Sequence, residues 1–481
     1  MSADQSQPQD APTHWRGILK HLGPGLIVTA CIVGSGELIA TPKVGADHGF
    51  SLLWFIIIGC IIKVFVQVEL GRAAMVQGKT TLELMDSVPG PRFIVSWLIW
   101  CFVLMFIGVF FQLGGIVGGV GQVFAEGGIN LSDRALAVFV ALATAAILAS
   151  GKYQHVERFS IVMVVLFVIS TGYALYALQA MPAMEAYRIT GDNIREGLSF
   201  KLPDNFGTAF AAFGMIGVGA TELIYYPNWC LEKGYSRNVG PREDSEAWYT
   251  RARGWLKVMR IDAWVSMVIY TSATVVFYLL GAALLRDTGV SDKGMILDLS
   301  NLFKPLGSSG WTIFLVGAFI VLFSTLVSGS ASNARLLADT LVLYKLKPRP
   351  ETDAERIRLV RGCCIFIPCT CAVLYVLVGA PVSMVLVGGV AQAIMLAPLA
   401  GAALWFRYKM TDRPLQPGLT WTVLLWVSAL AMAAVGLYMA QDKIRKQFKP
   451  KPAVEKKASL EGNCFAKQPG FYQAPRPKTN L

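Results

Sequence analysis

Residues 25–45 put a Gly-Ser-Gly tripeptide and a carboxylic acid inside what otherwise reads as a membrane-spanning helix. Glycine costs about 1 kcal/mol relative to alanine in a helix interior, so Gly34 and Gly36 make a weak point around Ser35. A charge near the bilayer centre costs roughly 3 kcal/mol on insertion scales. Unwound backbone at that depth is tolerated only where protein or a wet cavity satisfies it. Glu37 is therefore expected to face a cavity.

Residues 217–230 repeat the arrangement. Glu37-Leu-Ile-x-x-Pro42 and Glu222-Leu-Ile-x-x-Pro227 are one pattern, each with glycines just upstream and each inside a long apolar segment. Paired Gly/Pro-interrupted segments point to a transporter built from two repeats, with its site at the helix breaks.

Composition sets the class. The chain is 54% hydrophobic and 15% charged, where a soluble chain carries about 25% charged residues. Apolar runs of about 18 residues or more recur, so a polytopic helical membrane protein is expected. After the first span, further spans fall near 51–76, 93–124, 133–150, 157–179, 206–232, 256–285, 310–344, 359–378, 381–406 and 418–440, eleven in all. The start is polar and shows no cleavable signal peptide. Eight of the nine cysteines lie in apolar segments without zinc spacing and read as free thiols.

The formal charge of +12 sits mostly in loops and in the last forty residues. Cytosolic charge beside anionic lipid accounts for it, and nucleic-acid binding is not expected. The loop after the sixth span carries Lys233, Arg237, Arg242, Arg251, Arg253 and Lys257, and the loop after the eighth is equally basic. Both are read as cytoplasmic, which puts the amino terminus inside a cytoplasmic membrane. The basic tail from Lys443 then lies outside, against the same rule. The expected plan is a cytoplasmic tail (1–22), a first repeat (23–179), an extracytoplasmic loop (180–205), a second repeat (206–406), an extra span (407–441) and a disordered tail (442–481).

Other polar residues inside spans are Gln112, Ser328, Ser330, Ser332, Asn333 and Gln392. Gln392 can reach a central site. Arg335 and Asp339, four apart, can pair on one helix face. Lys43 can pair with Glu37, which would argue against metal binding there. Tyr225, Tyr226 and Trp229 are read equally as interface packing or gate.

The run Gly23-Pro-Gly-Leu-Ile-Val-Thr-Ala, the break after it and Val44-Gly-Ala-Asp-His-Gly-Phe-Ser-Leu-Leu-Trp54 resemble the NRAMP family of divalent-metal transporters. Gly219-Ala-Thr221, Arg260-Ile-Asp262-Ala and Ser328-Gly-Ser extend the resemblance. It implies a LeuT-type, all-α fold: two inverted five-helix repeats, with a metal held between broken helices one and six. The site motifs depart from the family's. Its Asp-Pro-Gly-Asn is Gly34-Ser35-Gly36-Glu37 here, so the Asp ligand has become Gly34 and the Asn ligand Glu37. The family's Met-Pro-His falls on Leu223-Ile224-Tyr225, with a new carboxylate at Glu222. Ala220, whose backbone carbonyl the family uses, is in place, and the family's third-helix acid falls on Phe111 beside Gln112.

The implied metal set is Glu37, Glu222, Gly34 and Ala220, with Ser35, Thr41, Thr221, Tyr225, Asn228 and Gln392 as further cavity residues. Oxygen-only ligation suits hard cations such as Mg²⁺, Ca²⁺ and Mn²⁺, whereas a thioether favours softer ones. The expected function is transport of hard divalent cations by alternating access, weakly or not coupled to protons, by a monomer in the lipid bilayer and with no cofactor. The competing reading is a Na⁺- or H⁺-coupled symporter of a small organic solute on the same fold. A non-transporting sensor is a third class. No nucleophile–base pair points to an enzyme.

Overall fold

A computed structural model describes residues 8–34, 36–149, 153–201, 207–286 and 289–448. The chain opens with α1 (Trp15–His21), then α2 (Pro24–Ile32), a π turn over Gly36–Ala40 and α3 (Thr41–His48). Next come α4 (Leu53–Gln77), α5 (Thr81–Asp86), a two-residue hairpin of β1 (Arg92–Phe93) and β2 (Val95–Ser96), and α6 (Trp97–Glu126). The first half ends with α7 (Asp133–Ala149), α8 (Tyr153–Ala180) and α9 (Gly191–Gly197). The second half holds α10 (Gly207–Phe213), α11 (Ala220–Glu232), α12 (Tyr235–Val239), α13 (Glu246–Leu284), α14 (Met295–Ser300) and α15 (Ser308–Leu343). It closes with α16 (Asp353–Val378), α17 (Pro381–Lys409) and α18 (Leu419–Phe448).

Among the described residues, eight helices, with α2–α3 taken as one, are long and apolar enough to cross a membrane. Taking the bent pair Val165–Ala180 and Pro182–Gly197 as one span makes nine, against the eleven expected; α7 and the α10–α11 pair stand where the other two were expected. This is an all-helical, multi-pass membrane protein. The two interrupted segments, α2–α3 and α10–α11, are broken at the glycines singled out in the sequence, Gly34–Gly36 and Gly217–Gly219, the second break starting earlier, at Gly214.

Burial sorts the helices into an inner and an outer set. Among α7, α16 and α18, apolar side chains such as Phe139, Leu142, Phe366, Leu377, Leu430 and Leu437 are exposed, as befits a lipid-facing surface. The interrupted helices, with much of α4, α13, α15 and α17, are buried. Two glycines fix one inner crossing. A Cβ on Gly281 would lie 2.5 Å from Pro42 Cα and O, and one on Gly45 would lie 2.6 Å from Tyr278 O. Helices α3 and α13 thus touch backbone to backbone, the close approach that small residues permit. Gly281→Ala is expected to cost about 1–3 kcal/mol by overpacking, read as a lower melting temperature in detergent. An unchanged melt would mean that the helices separate freely.

Sequence reading misplaced some elements. Helix α18 continues to Phe448, so residues 442–448, expected in a disordered tail, are helical, and 449–481 lie outside the described residues. The expected loop 180–205 contains a 3₁₀ turn, Pro182–Tyr187, and α9. The tail before residue 22 is docked: Gln9 N–H donates to Asn238 O and Trp255 Nε1 donates to Gln9 O, both at 2.8 Å. Helix α18 is tied to α4 by Glu69, which accepts from Trp421 Nε1 at 2.6 Å and pairs with Arg72 (3.3 Å) and Arg407 (3.7 Å).

Candidate functional site between the broken helices

The first break follows from its sequence. Gly34 N–H bonds Ile32 O at 2.6 Å, and the Thr41 hydroxyl donates to Gly36 O at 3.0 Å. Ser35, a predicted cavity residue, lies outside the described residues. Glu37 is fully buried on the π turn. Its Oε1 accepts from the Thr274 hydroxyl at 2.7 Å and from Gly217 N–H at 3.4 Å. Its Oε2 is enclosed and without a partner. The first break thereby meets the second, since Gly217 belongs to the unwound stretch of the sixth segment. Gly217 sits at φ +62°, a left-handed conformation that glycine adopts without the Cβ clash.

Glu222 stands in the first turn of α11. Its Oε1 accepts from the Tyr225 hydroxyl at 3.3 Å, and its Oε2 is also enclosed and unpartnered. Glu37 and Glu222 are near enough to act on each other electrostatically. Thr221 N–H donates to Gln392 Oε1 at 3.1 Å, and Gln392 Nε2 donates to Gln112 Oε1 at 2.7 Å. Both polar residues singled out in the third and tenth spans thus join a chain that ends at the start of α11. Gln392 Oε1 and Glu222 Oε2 converge on Gly219, each 2.5 Å from where a Cβ would stand.

The other predicted residues divide. Ala220 opens α11 and is buried. At Gly34 a Cβ would fall 2.1 Å from Thr325 Oγ1, so Thr325 of α15 fills the space a side chain would need there. Asn228 lies apart from the carboxylates, its Oδ1 accepting from Thr81 N–H at 3.4 Å. Two expected ion pairs are corrected. Lys43 pairs with Asp47 at 3.4 Å, not with Glu37. Arg335 pairs with Glu232 at 2.7 Å and stacks over Trp229, while Asp339 faces Arg356 at 3.8 Å. Lys43 finds its partner one turn on along its own helix, whereas Arg335 and Asp339 find theirs on other elements.

Sequence reading missed the cation beside the site. Lys63 of α4 is fully buried. Its ammonium donates to the carbonyls of Phe213 and Ile216, the latter at 2.7 Å, and sits 4.3 Å from the Phe213 ring centre. Those carbonyls lie at the end of α10 and in the break after it, where no next helical turn takes them. Lys63 is within electrostatic reach of both Glu37 and Glu222. Thr274 was missed too, and so was the Cys31 thiol beside the Tyr225 hydroxyl. Among the described residues no group of three or more His, Cys, Asp and Glu side chains converges as a metal cage. Any ion here would need backbone, amide or hydroxyl oxygens, or water, besides the two carboxylates.

The family model described as "Natural resistance-associated macrophage protein-like" matches residues 25–442. The chain belongs to the Nramp family. Within Nramp, the chain is 22% identical over 355 residues to a divalent metal cation transporter of Bradyrhizobium diazoefficiens, covering 73% of each chain. It is 32% identical to a metal transporter of Populus trichocarpa, over 20% of this chain and 16% of that protein. The chain thus spans about a seventh of the length of the plant relatives it matches. A manganese transporter of Eremococcus coleocola shares the Nramp fold, with TM-score 0.65 and 13% identity over 94% of this chain and 93% of that one.

Proposed function

We propose that this Nramp-family protein carries a divalent metal cation across a membrane by alternating access around Glu37 and Glu222, with hard ions favoured. The reading rests on one observation: each broken helix offers a carboxyl group with one enclosed, unpartnered oxygen. Enclosed acceptors without donors are costly unless something fills them. A cation between the two is the occupant that their charge selects. The names of the relatives, metal and manganese transporters, agree with that cargo class. Gly34 and Ala220 would contribute backbone oxygens, while Thr221, Tyr225 and Gln392 would hold ligating waters. The two five-helix repeats would run over 23–179 and 206–406, in a monomer with its amino terminus in the cytoplasm.

Leu223 accounts for the preferred ions, because no thioether stands there to favour soft ones. Proton coupling is expected to be weak, since Phe111 and Tyr225 stand where the resemblance implies an acid and a histidine. Purified protein in liposomes is expected to take up Mn²⁺, with Mg²⁺ in excess competing. Block by Cd²⁺ with indifference to excess Mg²⁺ would contradict the hard-ion preference. Leu223→Met is expected to raise Cd²⁺ affinity relative to Mn²⁺ by about tenfold, equivalent to about 1.4 kcal/mol. Competition curves on the same preparation measure that ratio.

A further inference from the structure

Among the described residues, Lys63 is the one charged group beside the two carboxylates that the proposed transport reaction does not use. It stands inside α4, in the stretch 53–66 that is otherwise apolar and precedes Gln67, Glu69 and Arg72. Burying an ammonium is expensive unless it is hydrogen-bonded and charge-balanced. Both conditions hold here. Two main-chain carbonyls released by the sixth-segment break accept from it, an aromatic face lies against it, and two carboxyl groups are within its field.

We propose that the Lys63 ammonium is a tethered counter-cation for the cargo-free site, letting the empty carrier return across the membrane. This rests on the transport reading above. A divalent ion offsets both carboxylates while cargo is bound. Once cargo leaves, the site would keep up to two uncompensated negative charges at membrane depth, and their burial without a partner opposes the rearrangement. Lys63 lowers that to at most one and leaves one positive charge when cargo is bound. The site then alternates between +1 and −1 instead of between 0 and −2, and its largest net charge is halved. Its position serves this role better than a direct ion pair would. Held by the carbonyls of Phe213 and Ile216, it leaves Glu37 Oε2 and Glu222 Oε2 open to cargo. Because those carbonyls belong to the break itself, the charge moves with the element that carries half of the site. The chain would thereby need no dissolved ion to accompany the empty return.

Two modes of flux separate this role from a purely structural one. Metal–metal counterflow moves a loaded carrier in both directions, whereas net uptake requires the empty return. In voltage-clamped proteoliposomes, Lys63→Gln keeps a hydrogen-bond donor for the two carbonyls and removes the charge. Net Mn²⁺ uptake is expected to fall more than about tenfold, while Mn²⁺ counterflow changes by less than about threefold. In Lys63→Ala, methylammonium in the buffer is expected to restore much of the net uptake by standing where the ammonium stood. Equal loss of both fluxes in Gln and Ala, with no effect of methylammonium, would overturn the proposal. So would net uptake at the wild-type level in Lys63→Gln, which would leave the amine only a hydrogen-bonding part. Absence of either flux in the wild-type protein would instead sink the transport reading.

Discussion

In Glu37→Gln proteoliposomes, divalent-metal uptake is expected to fall by more than about 100-fold while the purified protein melts close to the wild-type temperature. A hundredfold loss corresponds to about 2.7 kcal/mol. That is a modest demand on a carboxylate that would touch a divalent ion away from water. The substitution is nearly isosteric, and its Oε1 can still accept from the Thr274 hydroxyl and Gly217 N–H. What changes is the second position. Glu37 Oε2, an enclosed acceptor with no donor, becomes an NH₂ group that cannot ligate a cation. Glu222→Gln should behave alike, because its Oε2 is enclosed and unpartnered in the same way. Uptake by Glu37→Gln within threefold of wild type would remove Glu37 from the cargo path. A variant that no longer melts cooperatively would instead assign Glu37 to holding the two breaks together through Gly217.

The residues of the breaks were legible because each one violates a rule of its surroundings. Gly34, Gly36, Gly217 and Gly219 are poor residues for a spanning helix, and Glu37 and Glu222 are costly ones, so all of them are marked out from an ordinary lipid-facing helix, and the breaks meet where Gly217 N–H donates to Glu37. Gln112 and Gln392 were visible as polar residues in apolar spans, although nothing in the sequence said that they bond each other. Lys63 was not legible for a physical reason. A lone lysine in an apolar helix reads as a snorkelling side chain near the membrane edge unless its depth is known. Its depth is fixed by Phe213 and Ile216, 150 residues or more away along the chain. Lys43 and Arg335 failed for the opposite reason. Spacing offered Glu37 to Lys43 and Asp339 to Arg335; Lys43 instead pairs with Asp47 on its own helix, and Arg335 with Glu232 of α11. Thr325 and Thr274 carry no signal in a single sequence, since a threonine in a membrane helix ordinarily bonds its own backbone.

Asp262→Ala is the substitution expected to cost the fold most, at about 3 kcal/mol. Helix α2 begins at Pro24 after the cap residue Gly23, and with no N–H on the proline the free donors of that turn include those of Gly23 and Gly25. No side chain of α2 caps them. Asp262 does so from α13, its Oδ1 accepting from Gly23 N–H at 2.9 Å and its Oδ2 from Gly25 N–H at 2.6 Å. The Tyr226 hydroxyl of α11 donates to the same Oδ2 at 3.2 Å. One carboxylate thus joins the start of the first broken helix, the second half of the other and the seventh segment. Alanine leaves two N–H groups at a buried helix end without acceptors, where the positive end of the helix dipole also loses its counter-charge. Asparagine can accept only one of those bonds and turns an NH₂ toward the other, so it should recover less than half of the loss. Tyr226→Phe removes a single neutral donor and should cost about 1 kcal/mol. The buried thiols of Cys31, Cys60, Cys230 and Cys371 provide the readout, because a thiol-reactive dye reaches them only as the helices part. The expected order of dye-detected melting is wild type, Tyr226→Phe, Asp262→Asn and Asp262→Ala, from highest to lowest. Asp262→Ala melting with wild type would mean that water reaches the first turn of α2 and takes over the cap.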